Sequence, residues 1–301
     1  MNKAKKLGIA LAVITITGTA GTAIGVNTYN ERMAGVQAEE STETETEAGT
    51  DSGITLGADT STEADATSTD TSYLPNVKEI AQNAMPSIVA ITNQSESTGS
   101  GIIVGKSDTE LLIATNNHVV QNADQLTVLF SADTENEEDK MVTAQVKGTD
   151  SSLDLAVVAV KLEDIPQDVM DQIKVIEIGD SDQVNVGDWS IAIGNALGYG
   201  QSVTFGIISA LDREVTLSTD NGEITQNMIQ TDAAINFGNS GGALLDENGC
   251  LIGINSAKAS STGVEGMGYA IPINTAKSVI EDLMNQTTRT KAYADKAGAL
   301  G

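Results

Sequence analysis

The chain has 301 residues, a formal net charge of −26, one histidine, one cysteine and only 3% aromatic residues. That charge argues against a nucleic-acid partner, because phosphate binding needs basic patches. A single histidine excludes any metal site built from two or more imidazoles, and no acidic run has the spacing and glycine of a calcium loop. No metal or cofactor is expected.

Lys3, Lys5 and Lys6 precede an uncharged stretch, residues 7–26. As a helix it would span ~30 Å, the thickness of a bilayer core. Basic residues ahead of it predict residues 1–6 in the cytoplasm and the remainder outside. Two readings stay open: an uncleaved transmembrane signal anchor, or a signal peptide cut near Gly18-Thr19-Ala20 or Gly21-Thr22-Ala23. Residues 27–72 are dominated by Glu, Thr, Ser, Asp and Ala, as in Glu43-Thr44-Glu45-Thr46-Glu47. Such a segment buries too little apolar surface to offset its ordering entropy and reads as a disordered acidic linker.

From residue 73 the pattern changes to short apolar runs separated by turn residues, an all-β signature. The predicted strands of a first set are 87–91, 100–104, 110–114, 126–130, 141–147 and 155–160. A second set covers 190–193, 203–210, 228–231, 243–245, 251–255 and 268–273. A helix is expected over 275–285, with Ile280, Leu283 and Met284 on its apolar face. Residues 286–301 form a tail.

Three residues in this region carry chemistry. His118, in Thr115-Asn116-Asn117-His118-Val119-Val120, is the only imidazole able to shuttle a proton. Asp154 stands at the mouth of the apolar run 155–160, where a carboxylate can hold an imidazole in one tautomer; Asp150, in a more polar setting, is the rival. Ser240 lies in the glycine-rich turn Gly238-Asn239-Ser240-Gly241-Gly242. A serine hydroxyl needs a base to become a nucleophile, and its developing oxyanion needs donors already in place. Gly238 permits a backbone that aims two amides, its own and that of Ser240, at one point.

The order His, Asp, Ser is that of chymotrypsin-fold proteases. The texts TNNHVV, LDLAVVAV and GNSGGALL, with VGDWSIAIGNALG, SVTFGIISAL, IQTDAAIN and GYAIPIN, resemble the HtrA (Deg) branch of that clan over about residues 76–285. The resemblance implies two six-stranded antiparallel β-barrels with the site between them. His118 would be the base, Asp154 its orienter and Ser240 the nucleophile of a serine endopeptidase acting on unfolded extracytoplasmic proteins. The amides of Gly238, Asn239 and Ser240 would form the oxyanion hole.

Ala234, Ile235 and Phe237 are expected around the first specificity pocket, with the loop 256–267 as another wall. No acid is placed to bind lysine or arginine, so small to medium aliphatic residues are the expected preference. Phe237 and Ala196 stand where the family usually has proline. Asn239 replaces the aspartate that pairs with a new N-terminus in trypsin-like zymogens. The family generally continues into PDZ domains, and this sequence stops about where the first would begin. A homotrimer is possible by resemblance, and membrane contact would run through the N-terminal segment. The alternatives are a catalytically silent scaffold or chaperone-like binder on the same fold, and a serine esterase, which fits the nucleophile but not the motif order. Cys250 is expected to be a buried thiol and Trp189 a core residue.

Overall fold

The computed structural model describes residues 74–93, 98–123, 125–196, 200–219, 222–260 and 266–288. All belong to one compact unit within Thr67–Gly301. The expected anchor, the acidic linker and most of the tail lie outside the described residues. Among the described residues, no helix is long and apolar enough to cross a membrane.

Twelve strands form two closed sheets of six. The first contains β1 (Ile88–Asn93), β2 (Thr98–Lys106), β3 (Glu110–Asn116), β4 (Leu126–Leu129), β5 (Met141–Asp150) and β6 (Leu155–Lys161), ordered β1-β2-β3-β6-β5-β4. The second contains β7 (Trp189–Ala196), β8 (Gly200–Thr219), β9 (Gly222–Thr231), β10 (Ala243–Leu245), β11 (Leu251–Asn255) and β12 (Gly268–Pro272), ordered β10-β11-β12-β9-β8-β7. All the pairings are antiparallel. Each of the twelve predicted segments contains or overlaps one of these strands. The main difference is length: β8 and β9 run on into a long hairpin, where polar residues such as Thr216 and Thr225 face each other at its exposed edge.

The side-chain period of two explains the continuous apolar run of β6. Ala156, Val158 and Val160 point into the first barrel with Val89, Ile91, Ile113 and Val128. Leu155, Val157 and Ala159 point the other way, into a cluster shared with Ile191, Ile193, Leu245 and Leu251 of the second barrel. Both faces are buried, so no polar alternation survives in the sequence. The second barrel is filled by a third cluster that includes Ala192, Ile208, Ile229, Leu244, Ile252 and Ala270.

Among the described residues, five α-helices decorate the barrels: α1 (Val77–Ala84), α2 (Asn117–Val120), α3 (Gln167–Met170), α4 (Ala257–Ser260) and α5 (Ile273–Met284). The sequence reading assigns no element to α1. It nevertheless has an N-cap: the Asn76 side chain accepts from the Glu79 amide and donates to the Glu79 carboxylate. Helix α5 starts two residues before its expected position and buries Ile273, Ala276, Ile280 and Leu283. It packs on β5 and β6 of one barrel and on β11 and β12 of the other. Gly148 allows this approach, because a Cβ there would lie 2.8 Å from Leu283 Cδ2. Full burial of a single Ile or Leu is worth about 1.5–3 kcal/mol, so α5 holds the two barrels in one relative position.

Candidate active site

The β3–β6 ladder places the first two candidates. Asn116, the last residue of β3, pairs with Leu155, the first of β6. His118 is therefore two residues past one strand end and Asp154 one residue before the facing strand. Asp154 has a positive φ of 55°, a left-handed conformation that Asp tolerates better than most residues. This geometry presents both ends of the residue to the 116–118 segment. The Asp154 carbonyl accepts from Asn117 N at 3.0 Å and from the Asn116 side chain at 3.1 Å. The carboxylate accepts from His118 N at 3.0 Å and meets His118 Nδ1 at 2.7 Å. With its side chain only 4% exposed, Asp154 makes a desolvated, charge-assisted contact, among the stronger kinds of hydrogen bond. Asp150 makes no such contact. It accepts from Ser152 N, Ser152 Oγ and Leu153 N, which closes the turn between β5 and β6.

Ser240 comes from the second barrel, in the turn leading into β10. Asn239 N donates to Asn236 O at 3.0 Å, and Gly238 has a φ of 102°. A hydrogen-bonded turn with positive φ only at its third residue is type II. Asn239, expected to contribute its amide to the oxyanion hole, is corrected here: that N–H is used to close the turn. Gly241 N donates to Asn255 O and Gly242 N to Asn239 O. Among the described residues, the amides of Gly238 and Ser240 are left with no acceptor, although both residues are buried. Orphaned N–H groups in buried residues are rare.

The turn is seated on the first barrel. Ser100 N donates to Ser240 O at 2.7 Å, and Ser100 Oγ donates to Gly238 O at 2.6 Å. A Cβ on Gly241 would overlap Thr115 Oγ1 and the Ser100 carbonyl, and one on Gly99 would lie 2.6 Å from Val119 Cγ2 and 3.0 Å from Ser240 O. Gly99 thus separates Ser240 from Val119, the neighbour of His118. Among the described residues, Ser240 and His118 share no hydrogen bond; Ser240 Oγ accepts from Ala257 N at 3.0 Å. Ala257 opens α4, a helical turn inside the segment expected to form a loop wall. Ser100 is the functional candidate that sequence reasoning missed. The available signal was a hydroxyl between Gly99 and Gly101 in an otherwise apolar strand.

The three pocket candidates have different surroundings. Ile235 is 6% exposed and packs with Ala233 and Ala257. Ala234 is exposed, with its carbonyl accepting from Thr204 Oγ1 and the Asn239 side chain. Phe237 is 88% exposed. The Asn239 side chain also accepts from Ser202 Oγ; an aspartate could not make the donation to Ala234. A cavity of ≈450 Å³ bordered by Asn76, Glu79, Lys174, Glu177 and Asn248 contains none of these residues.

Two expectations need correction. Trp189 is only half-buried and stacks on Phe205 at 4.9 Å, because β7 turns this side chain to the outer face of the barrel. Cys250 is half-buried rather than buried, since it lies in the turn just before β11. Burial pushes its thiol above the ordinary value, and the charges of Asp246 and Glu177 add to the effect. Among the described residues, no group of three or more His, Cys, Asp or Glu side chains is placed to hold a metal ion.

Residues 99–254 match the family model of the trypsin-like peptidase domain. "Serine protease Do-like HtrA" of Bacillus subtilis is 40% identical over 239 residues, which is 72% of this chain and 50% of the relative. The "Probable periplasmic serine endoprotease DegP-like" of Rickettsia conorii is 42% identical over 194 residues, 64% of this chain and 35% of that protein. Among solved structures, the HtrA-type protease AlgW with a tripeptide aligns at a TM-score of 0.55 and 38% identity, covering 70% of this chain and 64% of that one. The chain spans about half the length of the Bacillus relative. With this similarity extending across both barrels and the candidate site, the chain belongs to the trypsin-like peptidase family, in its HtrA branch.

Proposed function

We propose that the chain is a serine endopeptidase that cleaves unfolded proteins through an acyl-enzyme. Ser240 Oγ attacks the scissile carbonyl while His118 Nε2 takes its proton. Asp154 holds the Nδ1–H and stabilises the imidazolium. The oxyanion sits between the N–H groups of Gly238 and Ser240, where fixed donors in a desolvated site act with little reorganisation. His118 then gives its proton to the leaving amine, and water releases the acyl group by the reverse sequence. The observation that carries this reading is the pair of acceptor-free amides of Gly238 and Ser240, both buried residues, on the turn that holds the Ser240 hydroxyl. In the conformation described, that hydroxyl accepts from Ala257 N, which leaves its own O–H available to donate to His118. Such contacts often tighten only when substrate is bound.

The substrate class follows from the surroundings of Ile235. We read this buried aliphatic side chain as the base of the pocket; a Cβ on Gly268 would lie 2.6 Å from its Cγ1. An uncharged aliphatic base favours small or medium aliphatic residues over lysine or arginine. Action outside the cytoplasm, with the N-terminal segment as anchor or export signal, agrees with the word periplasmic in the name of the Rickettsia relative. A homotrimer remains part of the proposal.

The test uses the full 301-residue chain. Unfolded casein should be cleaved, and a fluorophosphonate should label Ser240. Ser240→Ala should abolish both. A wild-type chain that binds unfolded casein yet neither cleaves nor labels would instead make it the silent binder.

A further inference from the structure

We infer that Ser100 is the positioning residue of the oxyanion hole, holding it in shape from the opposite barrel. The inference rests on the reading of Ser240 as nucleophile and goes one step deeper into the same site. Ser100 lies on β2, is 0% exposed, and uses every polar atom it has. Its hydroxyl donates to Gly238 O at 2.6 Å and accepts from Asn195 N of β7 at 2.7 Å. Its amide donates to Ser240 O at 2.7 Å, and its carbonyl accepts from Thr115 Oγ1 at 2.7 Å. One residue of the first barrel therefore grips the carbonyls of the two residues whose amides are acceptor-free. The Asn195 contact ties the same hydroxyl to the second barrel's own frame.

The consequence lies in peptide geometry. A type II turn becomes type I when its central peptide flips, a rotation of roughly 150–170° in the two dihedrals beside it. Here that peptide joins Phe237 to Gly238 and carries the Gly238 N–H. Glycine itself resists neither conformation. Fixing Gly238 O fixes the next peptide, which carries the Asn239 N–H that closes the turn. The hydrogen bond from Ser100 N to Ser240 O does the same on the far side of the nucleophile. Without the hydroxyl, Gly238 O loses its donor in a buried site, and the turn that aims both oxyanion donors is less firmly held.

The experiment compares the wild-type chain, Ser100→Ala and Ser100→Cys. It measures kcat and KM on an aliphatic peptide, inhibition by a peptide boronic acid, inhibition by the cleaved product peptide, and thermal unfolding. Ser100→Ala removes both hydrogen bonds of the hydroxyl; loss of the one to Gly238 O predicts a kcat lower by about 5- to 150-fold, below the ceiling of about 10³-fold for removing an oxyanion donor outright. KM and the product peptide's affinity should stay within about 2-fold, while the boronic acid, whose adduct places an oxygen in the hole, weakens in step with kcat. Ser100→Cys keeps the volume with a weaker donor and should fall between. If boronic acid and product weaken equally, or kcat is unchanged, the inference is overturned while the protease reading stands. If Ser100→Ala does not fold, Ser100→Cys decides, and a wild-type kcat there overturns the inference. A wild-type chain that does not label with fluorophosphonate removes both.

Discussion

Gly238 offers the sharpest test of the oxyanion turn, through substitution by Ala. Its φ of 102° lies where an L-residue is strained. Placing a Cβ in the left-handed region costs roughly 1–2 kcal/mol, and positions further from its minimum cost up to about 3 kcal/mol. The turn avoids this cost by flipping to type I, which turns the Gly238 N–H away. A φ of 102° lies beyond that minimum, so a penalty of about 1–3 kcal/mol corresponds to about 5- to 150-fold in the population of the competent turn at about 1.36 kcal/mol per tenfold. The kcat of Gly238→Ala on an aliphatic peptide should fall by that factor with KM nearly constant, because the lost interaction is made only in the transition state. Gly238→Asn should lose less than Ala, since Asn tolerates positive φ, and Gly238→Val should lose most. Steady-state kinetics on the three variants, with thermal unfolding to show that each is folded, checks the order. A kcat for Ala equal to wild type, or Asn worse than Ala, would refute the reasoning.

Asp154→Asn should reduce kcat by about 10⁴-fold, the loss known for this exchange in a serine protease triad. The carboxylate accepts from both His118 N and His118 Nδ1, and an amide can accept at only one of its two atoms; active-site labelling and turnover measure this. Glu110→Gln tests the cluster in which Lys147 lies 2.6 Å from Glu110 and Thr288 donates to the same carboxylate. Burial works to raise the Glu110 carboxyl, but the hydrogen bonds from Lys147 and Thr288, with the Lys147 charge, outweigh it and hold it below the ordinary carboxylate value. A lowered value means stability present above the unfolded pKa and lost as pH falls through the folded one. Urea unfolding should therefore show wild type more stable than Glu110→Gln by about 1–3 kcal/mol at neutral pH, with the gap closing on acidification below that ordinary value. Cys250 should react with iodoacetamide more slowly at pH 8 than a free cysteine, as burial and the Asp246 and Glu177 charges raise its thiol; full-speed alkylation would contradict that environment.

Particular residues show where reading the sequence ended. The β6 run Leu155–Val160 was legible because every residue is apolar, and its length and β-branching mark a strand. His118 and Asp154 were legible because the motifs sit at the ends of β3 and β6, which pair in register. Helix α1 was not, since an eight-residue amphipathic segment with an Asn cap resembles a polar loop. Trp189 was misplaced because alternation along β7 says which residues share a face but not which face is inside.

The sequence by itself determined that this is a protein of twelve short strands with one imidazole, one flanking carboxylate and one serine among glycines. Those properties depend on local composition and on order along the chain. The tertiary structure decided which amides remain without acceptors, that Asn239 N–H is consumed in closing the turn, and that the Ser240 hydroxyl rests on Ala257. It also brought Ser100 across 138 residues to hold Gly238 O. Each of these is a pairing between segments remote in sequence, set by how two barrels and the helix α5 pack, and no local pattern encodes it.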